Sequence, residues 1–232
     1  MRRHCFLKPF IIGFALAAVP ATSSAASIGL IDFESDAAGF FTFAQNAANV
    51  STVHPAVGTD GSRGVAASVS ADPGSYAGAG LGNTTNNQFD LSRAGFVGGS
   101  LSVADFDTIA GNFDVNIPVG QSLSIRIEPV NGGYNERVDL GVTIPGTGEF
   151  QNIAFDAASA SDANQKTTFV NTLNGASATG LKFIFSINNQ TGAVGSQFVF
   201  DNIEFSAGAV PEPSSFVLAL SGVMMLLGRR KR

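Results

Sequence analysis

Two carboxylates lie two residues apart, at Asp105 and Asp107. If Leu101–Thr108 is a strand, both side chains project from the same face, because alternate residues of a strand share a face. Paired carboxylates hydrolyse glycosidic bonds when both face one cleft at a defined separation. A solvated strand face explains the same spacing without any chemistry, and it is the favoured interpretation of this pair.

Other catalytic chemistry is limited by the scarcity of suitable side chains. His54 is the single histidine after the N-terminal segment, and Cys5 is the only cysteine of the chain. A serine triad would have to use His54, and no Gly-x-Ser-x-Gly elbow is present. The run from Gly78 to Gly82 lacks the Lys-Ser/Thr of a phosphate motif and is predicted to be a loop. We therefore predict that the protein is not an enzyme and has no catalytic residues.

The last 23 residues contain three parts in a fixed order. Pro211 and Pro213 favour an extended backbone, which a processing enzyme can accept in its cleft. The uncharged run from Ser214 to Gly228 would be about 22 Å long as a helix, which is short for a membrane span but tolerable. A basic end follows, which the positive-inside rule places in the cytoplasm. The alternative is a buried apolar C-terminal element with a solvated basic tip.

This segment resembles the PEP-CTERM sorting signal of exported proteins in Gram-negative bacteria that make exopolysaccharide. The sorting motif is Val210, Pro211, Glu212 and Pro213, and the membrane stop is Arg229, Arg230, Lys231 and Arg232. The resemblance implies an exosortase-like enzyme as a partner, which would recognise the motif and cut near it. It also implies a transient anchor in the inner membrane before the protein reaches the cell surface or extracellular matrix.

The N-terminus has the pattern of a secretory signal peptide, which implies the secretion machinery as a second partner. Basic residues begin it, an apolar stretch runs from Phe10 to Val19, and small residues from Ala21 to Ala26 end it. Cleavage fits after Ala25 or after Ala26, and an uncut N-terminal anchor is the alternative. The predicted division is a signal peptide at 1–26, a β-sandwich domain at 27–206 and a sorting segment at 207–232.

The predicted domain is strongly acidic once both terminal segments are set aside. It contains six basic and 17 acidic residues, which is a net charge of −11. That sign disfavours binding to nucleic acid or to an anionic lipid surface. Neutral polymers and divalent cations are more suitable partners for such a domain.

Alternation of apolar and polar residues dominates the domain and predicts half-buried antiparallel strands. Turn signals such as Asn131-Gly132-Gly133 separate the strands, and only Ser161–Leu173 has a helical pattern. This arrangement predicts an all-β fold, an antiparallel jelly-roll β-sandwich. The predicted strands are Ile28–Glu34, Gly64–Ser70, Leu101–Phe106, Asn112–Ile117, Leu123–Ile127, Val138–Ile144, Glu149–Phe155, Leu181–Ile187 and Gln197–Phe205.

The order of elements resembles the jelly rolls of carbohydrate-binding modules and their galactose-binding-like relatives. Ile31–Glu34, Gly58–Val65 and the closing strand Phe198–Phe205 carry this resemblance. In several such families, the first and last strands lie side by side and share a structural calcium ion. The resemblance implies Glu34 and Asp201 as ligands, helped by Asp32 and Asp60. The alternative is that Asp201 makes turn or edge hydrogen bonds while Glu34 faces solvent.

Sugar binding by such modules usually rests on exposed aromatic rings, often Trp. This chain has no Trp and only two tyrosines, Tyr76 and Tyr134. Tyr134 and the neighbouring Asn135 lie on a predicted loop and are the candidate sugar contacts. The alternative is that Tyr134 is an ordinary loop aromatic.

Together these patterns predict a non-enzymatic, exported surface or matrix protein that is processed by an exosortase-like enzyme and associated with exopolysaccharide or biofilm. A carbohydrate-binding module carrying the same sorting signal is the alternative function. A secreted hydrolase is a third and weaker one.

Overall fold

The computed structural model describes residues 25–82 and 89–208. Within these ranges there are two α-helices, α1 (Val103–Phe106) and α2 (Ala163–Gly175). The strands are β1 (Ala26–Ile31), β2 (Phe41–Ala44), β3 (Val50–Val57), β4 (Arg63–Val69), β5 (Ala77–Leu81), β6 (Phe89–Asp90), β7 (Ala110–Asn116), β8 (Ser122–Pro129), β9 (Val138–Pro145), β10 (Phe150–Asp156), β11 (Gly180–Ile187) and β12 (Gln197–Ala207).

The strands form two antiparallel sheets of six strands each. In the sheet that we call sheet I, the order is β10-β7-β12-β4-β3, and β1 pairs with β12. In the other, sheet II, the order is β2-β5-β11-β8-β9, and β6 pairs with β11. The predicted antiparallel β-sandwich is confirmed, and the described helices α1 and α2 accompany its strands. The first and last strands lie side by side, as the resemblance implies, and they pair antiparallel.

The predicted terminal segments lie almost entirely outside the described residues. This applies to the signal peptide, the Pro-Glu-Pro motif, the apolar run and the basic end. Within the described part of the chain, no helix is long and apolar enough to cross a membrane. At the two predicted boundaries, Ala26 pairs with Ala207, so the first and last strands extend one residue further than the predicted domain.

Phenylalanine rings from the two sheets fill the space between them. Phe183 of β11 stacks on Phe205 of β12 with 3.5 Å between ring centroids. Phe185 of β11 lies 4.6 Å from Phe200 of β12, and Phe89 of β6 lies 4.5 Å from Phe205. All five rings are buried. Burial of large aromatic rings from both sheets is a large hydrophobic contribution to the sandwich.

Two predicted elements were wrong. Leu101–Phe106 was expected to be a strand, but Val103–Phe106 forms α1. Ser102 and Asp105 form a capping box there, in which each side chain binds the other residue's backbone N–H, and this starts a helix. The predicted loop Gly78–Gly82 contains most of β5, whose residues are all buried in the middle of sheet II.

The predicted helical segment is confirmed as α2, from Ala163 to Gly175. Asp162 caps it by accepting from the backbone N–H groups of Asn164 and Gln165, at 2.9 and 3.0 Å. Phe169 of α2 packs 4.9 Å from Phe106 of α1, which fixes the helix against the end of the sandwich.

Removing one ring from the stack should destabilise the whole sandwich. We expect Phe205→Ala to lower the free energy of unfolding by about 3–5 kcal/mol, because it leaves a cavity between the sheets. Leu30→Ala, at a side chain that is 66% exposed, is the matched control and should cost about 0.5 kcal/mol or less. Urea denaturation measures both. A loss below 1 kcal/mol for Phe205→Ala would contradict this account of the core.

Candidate functional site

A groove of about 570 Å³ lies on the outer face of sheet II. The residues that form its floor can be identified from the strand register, because residues directly opposite each other in neighbouring strands point to the same face. One row across the sheet runs through Phe41, Gly80, Ile184 and Arg126. The next runs through Phe43, Gly78, Ser186 and Ser124, and a third pairs Lys182 with Glu128.

Two glycines of β5 make room for the aromatic side of the groove. A Cβ atom on Gly78 would lie 2.6 Å from Cζ of Phe43, and one on Gly80 would lie 2.5 Å from Cζ of Phe41. The two rings therefore occupy the space that a side chain at position 78 or 80 would fill, and they pack close to the backbone of β5. Tyr76, which precedes β5, also lines the groove and is 53% exposed.

Arg126 of β8 lies between the aromatic side chains of the two groove walls. Its Cζ atom is 5.6 Å from the ring centroid of Phe43 and 5.2 Å from that of Tyr134. Its Nε donates to Oε1 of Glu128 at 2.9 Å, and its Nη1 donates to Oγ of Ser186 at 2.5 Å. These contacts fix the guanidinium plane inside the groove.

Tyr134 lies at the opposite wall, in a short 3₁₀ helix from Tyr134 to Glu136. Arg137 covers one face of its ring, with Cζ only 3.8 Å from the centroid. The Arg137 guanidinium is held in turn by Asp139, 2.9 Å away, and by the backbone oxygen of Tyr134. The ring is 59% exposed but has a defined orientation. Asn135, the other candidate sugar contact, is exposed beside it and is not among the described residues that line the groove.

One buried carboxylate organises the cations of the groove. Glu128 is only 6% exposed and binds Arg126 through Oε1 and Lys182 through Oε2, the latter at 3.2 Å. Lys182 also donates to the backbone oxygen of Gly132 at 2.6 Å. Because one carboxylate binds both cations, this network keeps both long side chains in place.

The lining residues suit the binding of a ligand. Among the described residues that line the groove, Glu128 is the only carboxylate, and none is a histidine or cysteine. Glycoside hydrolysis normally requires two carboxyl groups facing one cleft, and Glu128 is already engaged by two cations. The arrangement instead presents aromatic faces next to hydrogen-bond donors, which is typical of a ligand-binding pocket.

Most of these groove residues were not singled out from the sequence. Arg126 and Glu128 alternate with buried Ile125 and Ile127, so period-two alternation could have placed them on the outer face. No local pattern in the sequence specifies the strand register that places Lys182 opposite Glu128. β2, which contributes Phe41 and Phe43, was not predicted at all.

Of the residues implied as calcium ligands, Asp201 lies in β12 of sheet I, and the other three lie in the segments that follow β1 and β3; none of them lines the groove. Asp201 is completely buried, and its two oxygens accept hydrogen bonds from the backbone N–H groups of Thr59 and Asn202, at 2.9 and 2.8 Å. The Ser62 hydroxyl donates to the same oxygen as Thr59, at 2.6 Å. Asp201 thus holds the turn between β3 and β4 against β12.

The other three implied ligands have different local roles. The Asp32 carboxylate accepts from the backbone N–H of Glu34, and the Glu34 carboxylate accepts from that of Arg63. Asp60 is exposed in the turn that Asp201 caps. Within the described ranges, no group of three or more His, Cys, Asp or Glu residues is placed to hold a metal ion. These contacts agree with the hydrogen-bonding alternative for Asp201, and calcium binding stays a prediction.

The remaining candidates for chemistry also have structural contacts. The Asp105 carboxylate caps α1, whereas the Asp107 carboxylate binds Nζ of Lys166 at 2.7 Å, so the pair does not face one cleft. Nε2 of His54 lies 2.8 Å from the backbone oxygen of Phe33.

Comparison with known proteins gives similarity of fold only. No protein-family model matches the chain, and no curated protein matches it. Among solved structures, it is similar to the family 11 carbohydrate-binding module of the cellulosomal cellulase Lic26A-Cel5E of Clostridium thermocellum, with 16% identity and a TM-score of 0.48 over 82% of this chain and 99% of that one. It is also similar to the CBM22-2 xylan-binding domain of Paenibacillus barcinonensis Xyn10C, with 15% identity and a TM-score of 0.47 over 78% and 99%.

A third similar structure contains the CBM22-1 and GH10 modules of the Clostridium thermocellum xylanase 10B, complexed with xylohexaose. Its identity is 12% and its TM-score is 0.48, over 80% of this chain. The match spans only 29% of the length of that xylanase chain. The common feature is a β-sandwich of two antiparallel sheets, and the ligands named for these structures are properties of those proteins.

The buried contacts of Asp201 predict a stability effect that does not depend on calcium. In Asp201→Asn the amide NH₂ replaces one acceptor oxygen, so at least one buried donor loses its partner. We expect the free energy of unfolding to fall by about 1–3 kcal/mol. Urea denaturation in calcium and in EDTA measures this loss, and we expect the same value in both.

Asp60→Asn is the matched control for this experiment. It makes the same chemical change at an exposed site in the same turn, and it should cost about 0.5 kcal/mol or less. A wild-type melting temperature that rises in calcium, with the rise lost in Asp201→Asn, would overturn the hydrogen-bonding role and support a calcium site.

Proposed function

We propose that the described domain is a non-catalytic carbohydrate-binding domain and that the groove on sheet II holds the sugar chain. The observation that carries this proposal is the pairing of fixed aromatic rings with fixed polar groups in one groove. Phe41, Phe43 and Tyr134 line it together with Arg126 and Lys182. A sugar ring has an apolar face of C–H groups and an edge of hydroxyls, so it needs both kinds of contact.

The aromatic rings supply the apolar part of that recognition. Tyr134 and Tyr76 are both more than half exposed, although large aromatic side chains are normally buried. Tyr134 is held by Arg137 on one face, so a ligand that stacks on it need not order a mobile side chain. Pre-ordered binding groups raise affinity by lowering the entropy cost of association.

The polar part consists of donors that are already oriented. Arg126 and Lys182 are both anchored by Glu128, and both line the groove. Hydroxyl oxygens of a sugar can accept from such groups, and hydrogen bonds to charged donors are stronger than those to neutral ones. The volume of the groove also falls in the usual range for small-ligand pockets.

We also propose that this domain is exported and sorted. The support is in the sequence: a basic and then apolar N-terminus ends in small residues, and a Pro-Glu-Pro motif is followed by an apolar run and a basic end. An exported sugar-binding domain released by an exosortase-like enzyme would associate with exopolysaccharide outside the cell. This proposal combines the sorting signal with the carbohydrate-binding alternative.

Sugar binding should depend on the ring of Tyr134 more than on its hydroxyl. We expect Tyr134→Ala to raise the dissociation constant for a bound glycan about two- to tenfold, which corresponds to about 0.5–1.5 kcal/mol of ring contact. Tyr134→Phe keeps the ring and should retain most of the affinity. A glycan array identifies the ligand, and isothermal titration calorimetry measures the three affinities.

The control is Val119→Ala, at a side chain that is 76% exposed and does not line the groove. It should bind as the wild type does. Absence of binding to every glycan on an array of neutral and acidic oligosaccharides would contradict the proposed function. Binding that Tyr134→Ala leaves unchanged would place the sugar elsewhere.

Processing at both ends gives a separate prediction about the exported protein. Intact-mass measurement on material from the cell surface or medium should show a chain that begins after Ala25 or Ala26. We expect the same chain to lack the apolar run and basic end, because cleavage near Pro211–Pro213 removes them. A mass that still includes Phe216–Arg232 would contradict sorting by an exosortase-like enzyme.

A further inference from the structure

The basic residues of the domain are concentrated around the groove. Between the predicted signal peptide and the sorting segment there are six basic residues and 17 acidic ones. Arg126 and Lys182 line the groove, and Arg137 stacks on Tyr134 at its wall. Half of all the cations in a strongly acidic domain therefore lie at one site, which general solubility does not explain.

The other three cations lie at different places. Arg63 begins β4 on sheet I, and Lys166 of α2 forms an ion pair with Asp107. Arg93 lies in the 3₁₀ helix from Leu91 to Ala94 and donates to the backbone oxygen of Ile28. None of the three is among the residues that line the groove.

The groove itself carries an excess of positive charge. Arg126 and Lys182 share a single carboxylate, Glu128, so one positive charge is not compensated there. Arg137 and Asp139 balance each other at the wall. The side chains of Arg126 and Lys182 are 14% and 17% exposed, so solvent and salt screen them less than ordinary surface cations.

The geometry of Arg126 leaves room for an anionic partner. Glu128 and Ser186 accept from its Nε and Nη1, and no described residue accepts from its Nη2. Lys182 uses two contacts, to Glu128 and to the oxygen of Gly132, out of three N–H bonds. A planar carboxylate on a ligand suits a guanidinium edge, and a nearby ammonium adds to the attraction.

We propose, on the basis of the carbohydrate-binding function above, that the groove prefers acidic polysaccharides whose sugars carry a carboxylate. The aromatic rings bind the sugar face, and Arg126 with Lys182 binds the uronate group. The negative charge of the rest of the domain does not prevent this, because charges more than about 8 Å away are largely screened at physiological ionic strength. An anionic ligand is therefore selected by the local charge of the groove.

The test compares oligosaccharides that differ only in charge. Short oligomers of galacturonate, glucuronate and mannuronate are each titrated against the protein beside the methyl ester of the same oligomer. For at least one of the three, we expect the acid to bind on the order of tenfold more tightly than its ester, since hydrogen bonds between charged groups are the strong ones. Defined short oligomers exclude multivalent effects.

Lys182→Gln tests the source of that preference, and Arg63→Gln is the matched control. The first variant removes the uncompensated charge of the groove, so the ratio of the affinities for acid and ester should fall toward one, whatever affinity both lose with the Lys182 hydrogen bonds. The second removes the same charge from sheet I, and the preference should persist. Thermal denaturation verifies that both variants are folded.

The outcomes separate this inference from the proposed function. Equal binding of every acid and its ester would overturn the preference for carboxylates but leave sugar binding intact. Absence of binding to all six oligomers and to the neutral glycans of the array would overturn both. A sulfated oligosaccharide that binds as tightly as the best uronate would overturn carboxylate recognition.

Discussion

Burial of Phe183 and Phe185 between the two sheets determines what β11 presents on its other side. Because strand side chains alternate, placing these rings in the core turns Lys182, Ile184 and Ser186 outward onto the floor of the groove. A register shift of one residue would bury the charged and polar side chains and expose the phenylalanines, at a large cost in free energy. The stacked rings thus stabilise the sandwich and also position the candidate site.

Strand β5 shows how the groove departs from an ordinary sheet surface. Glycine weakens a strand, because it has no side chain to pack and loses much conformational freedom on folding. Gly78 and Gly80 nevertheless lie in the middle of sheet II, where the rings of Phe43 and Phe41 cover them. The aromatic contact offsets part of that cost. Replacing either glycine with a larger residue would displace the ring that lines the groove.

The sequence alone predicted the fold class, but it predicted only part of the candidate site. Strong alternation predicted β8, β9, β11 and β12, and Tyr134 was identified as the candidate aromatic contact. Alternation failed where a local signal was stronger, as at Leu101–Phe106, where a capping box starts a helix. It also failed at Gly78–Gly82, because a glycine-rich segment alone indicates a loop. The rings of Phe41 and Phe43, which cover the glycines and make a strand possible there, come from a different strand. The pairing of Lys182 with Glu128 depends on strand register, which no local pattern specifies.

The charge network of the groove is better explained by ligand binding than by stability. Nearly buried ion pairs usually contribute little net stability, because desolvation of the charges offsets their attraction. Glu128, Arg126 and Lys182 lie on the outer face of sheet II, opposite the face of β8 and β11 that packs in the core. What the network does provide is two cations held at fixed positions beside aromatic rings. In a domain with a net charge of −11, concentrating cations at one concave surface favours an anionic ligand at that surface.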